Sequence, residues 1–98
     1  MTVVTPDGRF EWDDGKAILN LAKHGVSFEE ATGVFRDPYA IDLLDARHSI
    51  EEDRVVTIGK IGRRIVVSVI HTDRRGRKRV ISARPATSWE RDLYGNAR

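Results

Sequence analysis

The 98-residue chain predicts an α+β domain with the element order βααββββα: an N-terminal strand and an αα-hairpin packed on an antiparallel β-meander, closed by a short C-terminal helix. Three observations predict it. Two helix start signals with helical apolar spacing precede Pro38, Val/Ile-rich runs separated by turn residues follow from Tyr39, and a capping pattern returns at Thr87. At this length and 40% hydrophobic content the chain is expected to form one domain over residues 1–98, burying roughly two thirds of its unfolded surface.

Residues 1–8, with Pro6 and Gly8, read as a loose lead-in to a short strand around Arg9–Trp12. Phe10 and Trp12 belong to the core as inward-facing neighbours at a strand edge. Asp13 or Asp14 is placed to cap a helix running to about Lys23, and Gly25 stands where a left-handed residue ends one. Along that helix Ala17, Ile18, Leu21 and Ala22 form the apolar stripe, while Lys16, Asn20 and Lys23 mark a polar one. Ser27 and Glu30 form a capping box with a Val26–Ala31 staple, so a second helix should span Phe28 to Phe35 and stop before Asp37-Pro38. The strands expected next are Tyr39–Leu44, Arg54–Lys60, Arg64–Thr72 and Arg77–Arg84. Their hairpins fall at Lys60-Ile61-Gly62-Arg63 and Asp73-Arg74-Arg75-Gly76. In the longest strand both faces carry Val and Ile, which predicts that both are covered. Thr87 and Glu90 then start a closing helix through Trp89, Leu93 and Tyr94.

Composition removes several function classes. With no cysteine, disulfide scaffolds, thiolate zinc sites and cysteine nucleophiles are out. No apolar run is long enough for a membrane span, and the first residues lack a signal-peptide pattern, so the expected location is the cytoplasm, away from membranes. His24, His48 and His71 share no metal-ligand spacing, the glycines are not followed by a Walker lysine, and no nucleophile elbow occurs, so no metal or other cofactor is expected. The net charge of +2 hides an asymmetry. Residues 1–53 carry 5 Lys/Arg against 12 Asp/Glu, net −7, and residues 54–98 carry 12 against 3, net +9. A basic half in a cytoplasmic protein points first to nucleic acid, although a solvated face reads the same way.

Several segments together resemble the BrnT family, in order from Phe10 to Tyr94. They are Phe10-Glu11-Trp12-Asp13, Lys16 and Asn20, then the run Lys23-His24-Gly25-Val26-Ser27-Phe28-Glu29-Glu30-Ala31, followed by Phe35, Asp37-Pro38 and His48-Ser49. Thr57-Ile58-Gly59, His71-Thr72, Arg79 with Ile81-Ser82-Ala83-Arg84, and Glu90-Arg91 with Tyr94 complete the pattern. The resemblance implies a RelE-like ribonuclease toxin that cuts RNA and inhibits translation. It further implies a BrnA-like antitoxin with a ribbon-helix-helix domain, which neutralises the toxin and carries the complex to operator DNA. Pro85, Ser88 and Trp89 depart from the family pattern, standing where basic residues are expected; this bears on phosphate contacts beyond Arg84.

RNA cleavage without a metal needs a group to take the 2′-hydroxyl proton, charge to stabilise the crowded phosphate, and a proton for the leaving oxygen. The candidates are His24, Lys23, His71, Arg79, Arg84 and Tyr94. Arg79 and Arg84 suit phosphate stabilisation because a guanidinium stays charged and binds phosphate through two parallel bonds. Their spacing puts them on opposite faces of a regular strand, so they share a site only if a bulge intervenes or Arg84 lies at the strand end. His24 suits acid–base work with an ordinary pKa of about 6.5; equally, it suits a carbonyl cap at a helix end. Lys23 reads also as a solvated helix lysine, His71 as a satisfied histidine at a sheet rim, and Tyr94 as a stacking or a core residue. Arg74, Arg75, Arg77 and Lys78 bracket a turn and read as a loose electrostatic contact to RNA phosphates or, equally, as a basic turn that contacts nothing. The competing reading is a non-catalytic RNA-binding or co-repressor module of the same fold; a third is a structural interaction protein.

Overall fold

The computed structural model describes residues 1–48, 52–62 and 65–96. Nine principal elements follow one another: β1 (Thr2–Val4), β2 (Phe10–Asp13), α1 (Asp14–His24), α2 (Phe28–Ala31), β3 (Ile41–Leu44), β4 (Val55–Ile61), β5 (Ile65–Arg74), β6 (Arg77–Pro85) and α3 (Ser88–Asn96). The strands form one sheet in the order β1-β2-β6-β5-β4-β3. The expected meander is present, with β3 to β6 pairing antiparallel in sequence order. β2 joins it parallel to β6 through Phe10 opposite Lys78 and Glu11 opposite Arg79. The β5–β6 hairpin turns at Arg75 and Gly76, both at positive φ (54° and 82°), the backbone of a tight primed turn. Of the other hairpin, Gly62 is also at positive φ, whereas Arg63, Arg64 and Ser49 lie outside the described residues.

Three expectations are corrected. The lead-in is not loose: Thr2–Val4 is a strand paired antiparallel with β2, consistent with the strand preference of its β-branched residues. Phe10 and Trp12 are buried as expected, but β2 lies between β1 and β6 and is not an edge. The second helix keeps its capping box, Ser27 accepting from Glu30 N and Glu30 accepting from Ser27 N, but ends at Ala31. A 3-10 turn, Thr32–Arg36, continues it, where Gly33 weakens the helical preference.

The largest correction concerns α1, which turns Asn20 inward and leaves Ile18, Leu21 and Ala22 of its expected apolar stripe exposed, with Lys16 and Lys23 exposed as well. Asp13 caps it by accepting from Lys16 N at 2.9 Å and Gly25 ends it at φ 72°, but Asn20 is 8% exposed while Ile18 and Leu19 are 70% and 71% exposed. The reason is a hydrogen-bond requirement. β2 pairs with only the first part of β6, because the chain leaves the sheet at Asp13 to enter α1. Beyond that point the Asn20 carboxamide takes the place of a neighbouring strand: Nδ2 donates to Ala83 O (2.8 Å) and Val26 O (3.0 Å), and Oδ1 accepts from Ala83 N (3.2 Å) and Ser82 Oγ (3.3 Å). Leaving buried backbone groups unpaired costs more than exposing two aliphatic side chains.

The sheet has a core on each face. On one side α1 and α2 cover Trp12, Val67, Val69, Val80 and Ala83, with Phe28 at the centre. On the other, α3 sets Tyr94 on Ile58 beside Ile41, Leu43 and Val66, as the doubly apolar β5 requires. On the hairpin face, Gly59 permits a close approach, since a Cβ would stand 3.1 Å from Val34 Cβ and 3.2 Å from Ala40 Cβ. Asp37 ties the parts together by accepting from Lys60 N (2.8 Å), Tyr39 N (3.0 Å) and the Tyr94 hydroxyl (2.6 Å). At the start of α3, Thr87 and Glu90 form the expected box, and Arg84 donates to both Glu90 oxygens (2.6 and 3.1 Å). Burial pushes the Glu90 carboxyl up, but the Arg84 guanidinium and the Thr87 amide outweigh it and hold its pKa down to about 2.

Two outcomes follow for stability. Asn20→Ala should cost roughly 2–4 kcal/mol in urea unfolding, because it strands three buried backbone groups, while Ile18→Ala on the same helix should stay within about 0.5 kcal/mol. Because Glu90 has a depressed folded pKa, its contribution is complete above the ordinary value of 4.5 and is lost as pH falls toward about 2. Glu90→Gln should therefore flatten the urea-midpoint curve over that acid range.

Candidate functional site

A β-bulge decides which side chains share the face of the sheet opposite α1. In the β5–β6 pairing, His71 lies opposite Val80 and Ile70 opposite Ser82, leaving Ile81 as an extra residue. The slip reverses the alternation beyond it. Arg79, paired with Thr72, and Arg84, paired with Ser68, consequently lie on the same face, since Ser68, Ile70 and Thr72 alternate regularly along β5. The spacing difficulty in the sequence is resolved by the bulge.

Each arginine meets a buried carboxylate. Glu11 lies between the two core residues Phe10 and Trp12, so it faces the other way, toward Arg79. Arg79 Nη1 donates to Glu11 Oε2 at 2.6 Å, and Arg77 Nη1 stands 3.9 Å from Oε1. Thr2 Oγ1 is 3.5 Å from the same Arg79 nitrogen. Arg84 is held by Glu90 at the head of α3. The result is a row of alternating charge across β2, β6 and the α3 terminus, in which guanidiniums are fixed in place by carboxylates. Such a row can bind a phosphate at the free guanidinium edges while holding a carboxylate next to it as a proton acceptor.

His71 occupies the opposite face, in phase with Val67 and Val69. It is almost fully buried, edge-on to Phe35 (ring centroids 4.9 Å apart). Thr57 Oγ1 donates to Asp42 Oδ1 at 2.6 Å and lies 2.7 Å from His71 Nε2. With the hydroxyl proton on Asp42, Nε2 is the protonated nitrogen and Nδ1 keeps its lone pair; among the described residues Nδ1 has no partner. Burial, followed by the nearby Lys78 charge, lowers the His71 pKa to about 4. The ring is neutral at pH 7. It borders a pocket of about 420 Å³ lined in part by Asp42, Asp53, Asp73 and Lys78.

The other expected site residues are dispersed. His24 is half-buried and Lys23 exposed at the end of α1, which packs on the face away from Arg79 and Arg84. Tyr94 is buried beneath α3 with its hydroxyl on Asp37. Around the β5–β6 turn, Arg74 pairs with Glu52 (2.6 Å), Arg77 donates from Nε to Gly8 O (3.1 Å), and Lys78 lies 3.7 Å from Asp73 and over the Phe35 ring. Arg75 is exposed at the tip. Among the described residues no group of three His, Cys, Asp or Glu side chains is arranged to hold a metal. Sequence reasoning passed over Glu11 and Glu90 as site residues. The signal for Glu11 was present in its position between two core aromatics, since alternation turns a residue so placed toward the other face.

Comparison with known proteins agrees with this architecture. The profile of the family described as "Ribonuclease toxin, BrnT, of type II toxin-antitoxin system" matches residues 12–90. The crystal structure of the Brucella abortus ribonuclease toxin, BrnT, is similar at a TM-score of 0.61 and 26% sequence identity, over 79% of this chain and 94% of that one. No curated protein matches the chain. The matched span contains the sheet from Trp12 onward, both helices of the hairpin, and both arginines with Glu90, and on that span the chain belongs to the BrnT family of ribonuclease toxins of type II toxin–antitoxin systems.

Proposed function

We propose that this chain is a metal-independent endoribonuclease of RelE-like layout that cleaves RNA in the cytoplasm and so inhibits translation. In this reading a BrnA-like ribbon-helix-helix antitoxin neutralises it and carries it to operator DNA. The observation that carries the catalytic part is the bulge at Ile81, which gathers Arg79 and Arg84 on one face beside Glu11 and Glu90. Glu11 accepts the proton of the 2′-hydroxyl as that oxygen attacks the adjacent phosphorus. Arg79, with Arg77 behind it, stabilises the charge that develops on the phosphoryl oxygens, and Arg84 fixes a neighbouring phosphate. The 5′ oxygen leaves with a proton from solvent, giving a 2′,3′-cyclic phosphate. The basic turn of Arg74, Arg75, Arg77 and Lys78 guides the RNA backbone. In this reading His24, Lys23 and His71, on the opposite face, and Tyr94, buried with its hydroxyl on Asp37, do not touch the reacting atoms.

The non-catalytic RNA-binding or co-repressor reading has one observation in its favour: both arginines are already neutralised by carboxylates, as in a structural ion-pair lattice. Incubating the purified chain with end-labelled RNA and an all-DNA analogue, in EDTA throughout, separates the two. The enzyme cuts RNA alone and leaves 2′,3′-cyclic or 3′-phosphate ends, whereas a binder retains RNA and leaves it intact. Glu11→Gln and Arg79→Ala should each lower the cleavage rate by roughly 100-fold or more, with Glu11→Gln still binding RNA. Because His71 stays neutral down to about pH 4, the rate profile around neutrality should be the same in His71→Gln as in the parent. Arg75→Ala should weaken RNA binding and reduce the slope of log affinity against log salt by about 1.

A further inference from the structure

The solvent side of α1 is apolar. Gly15, Ile18, Leu19 and Ala22 all face outward, a small-large-large-small sequence at the three- and four-residue spacing of a helix–helix seam. Exposed Lys16 and Lys23, seven residues apart, border the seam on one side, and exposed Asp14 and Leu21 border it on the other. Nothing within the fold needs this arrangement, because Asn20 already holds the helix to β6. Contiguous apolar surface of this kind on a soluble domain marks an interaction site.

We propose that this seam receives an amphipathic helix of the antitoxin, with apolar residues set between Ile18 and Leu19 and carboxylates opposite Lys16 and Lys23. The proposal rests on the toxin–antitoxin reading above, in which the partner is a protein. A second copy of the chain is disfavoured by area. Ile18, Leu19 and Leu21 offer on the order of 300 Å² of apolar surface, well under the roughly 800 Å² per partner of a stable dimer, and a symmetric contact through α1 ends with the seam. The antitoxin is a separate chain, so in this proposal the helix on the seam is one part of its contact. The basic border selects an acidic helix, and small residues at positions 15 and 22 allow its backbone to come close.

The test is calorimetric titration of the full chain with the antitoxin encoded in the same operon, with RNA cleavage by the free chain measured in parallel. The double substitution Ile18→Glu with Leu19→Glu should weaken antitoxin affinity roughly 100-fold or more and leave the thermal melt and any cleavage by the free chain unchanged. Lys16→Glu, which disturbs no packing, should weaken affinity by about 3- to 10-fold with an effect that shrinks as salt rises. Antitoxin binding that is unaltered by both variants would overturn the proposal. So would sedimentation equilibrium showing that the double substitution dissociates a homodimer while antitoxin affinity is unchanged. A free chain that never cleaves RNA, yet binds the antitoxin through Ile18 and Leu19, would overturn the ribonuclease reading and leave the docking surface standing.

Discussion

The side-chain amide of Asn20 is the interaction on which the rest of the structure depends. β6 is the strand that joins the parallel and antiparallel parts of the sheet, yet its parallel partner β2 follows it only as far as Arg79. Beyond that, the backbone of Ala83 is inside the protein with no strand on the side away from β5, and Asn20 supplies both a donor and an acceptor. The same carboxamide reaches Val26 O and so fixes the turn between α1 and α2. The bulge at Ile81 lies between the last residue paired to β2 and the first held by Asn20. One polar side chain thereby docks the helical hairpin and braces the irregular strand that carries both arginines.

From that brace the charge arrangement follows. The acidic N-terminal half and the basic C-terminal half meet within the fold: Glu11, buried, lies between Arg79 and Arg77, and at the surface Glu52 holds Arg74. The sequence asymmetry is therefore partly spent within the fold, and the positive charge offered to RNA is smaller than the basic half suggests. What the pairing supplies is order. A guanidinium held by a carboxylate keeps its remaining donors in one geometry, which a phosphate can meet without the entropy loss of freezing a long side chain. At a fixed pair, one partner can stabilise charge while the other takes a proton, as the proposed chemistry requires.

Much of this was legible in the amino-acid order. The capping boxes at Ser27 and Thr87, the cap at Asp13, the stop at Gly25 and the four-strand meander are set by local chemistry, and local chemistry can be read locally. The bulge was legible as a condition, since Arg79 and Arg84 could share a face in no other way within a strand. The orientation of α1 was not. Its apolar stripe is a sound reading of periodicity, overturned by a demand that exists only once residue 83 of a distant strand arrives without a partner. Strand β1 was missed for a related reason: Thr2–Val4 has strand-forming side chains but no apolar alternation, and it gains its place from pairing with β2. Of the site, the arginines were legible as residue types, and so were the outward turn of Glu11 and the capping role of Glu90; their meeting with the arginines was not, because the parallel β2–β6 pairing and the placement of α3 bring them together.

In the proposed function RNA meets this protein on the sheet face carrying Glu11, Arg79 and Arg84. It is tested most directly by following backbone and arginine side-chain resonances while a 2′-O-methyl RNA, which cannot be cut, is titrated into the full chain. The largest shifts should fall on Arg79, Arg84, Glu11 and the Arg75 turn, with Asn20 and the exposed face of α1 unmoved. Shifts centred on His24 and Lys23, or on the His71 pocket, with Arg79 and Arg84 unaffected, would contradict it and place the RNA on the opposite side of the sheet.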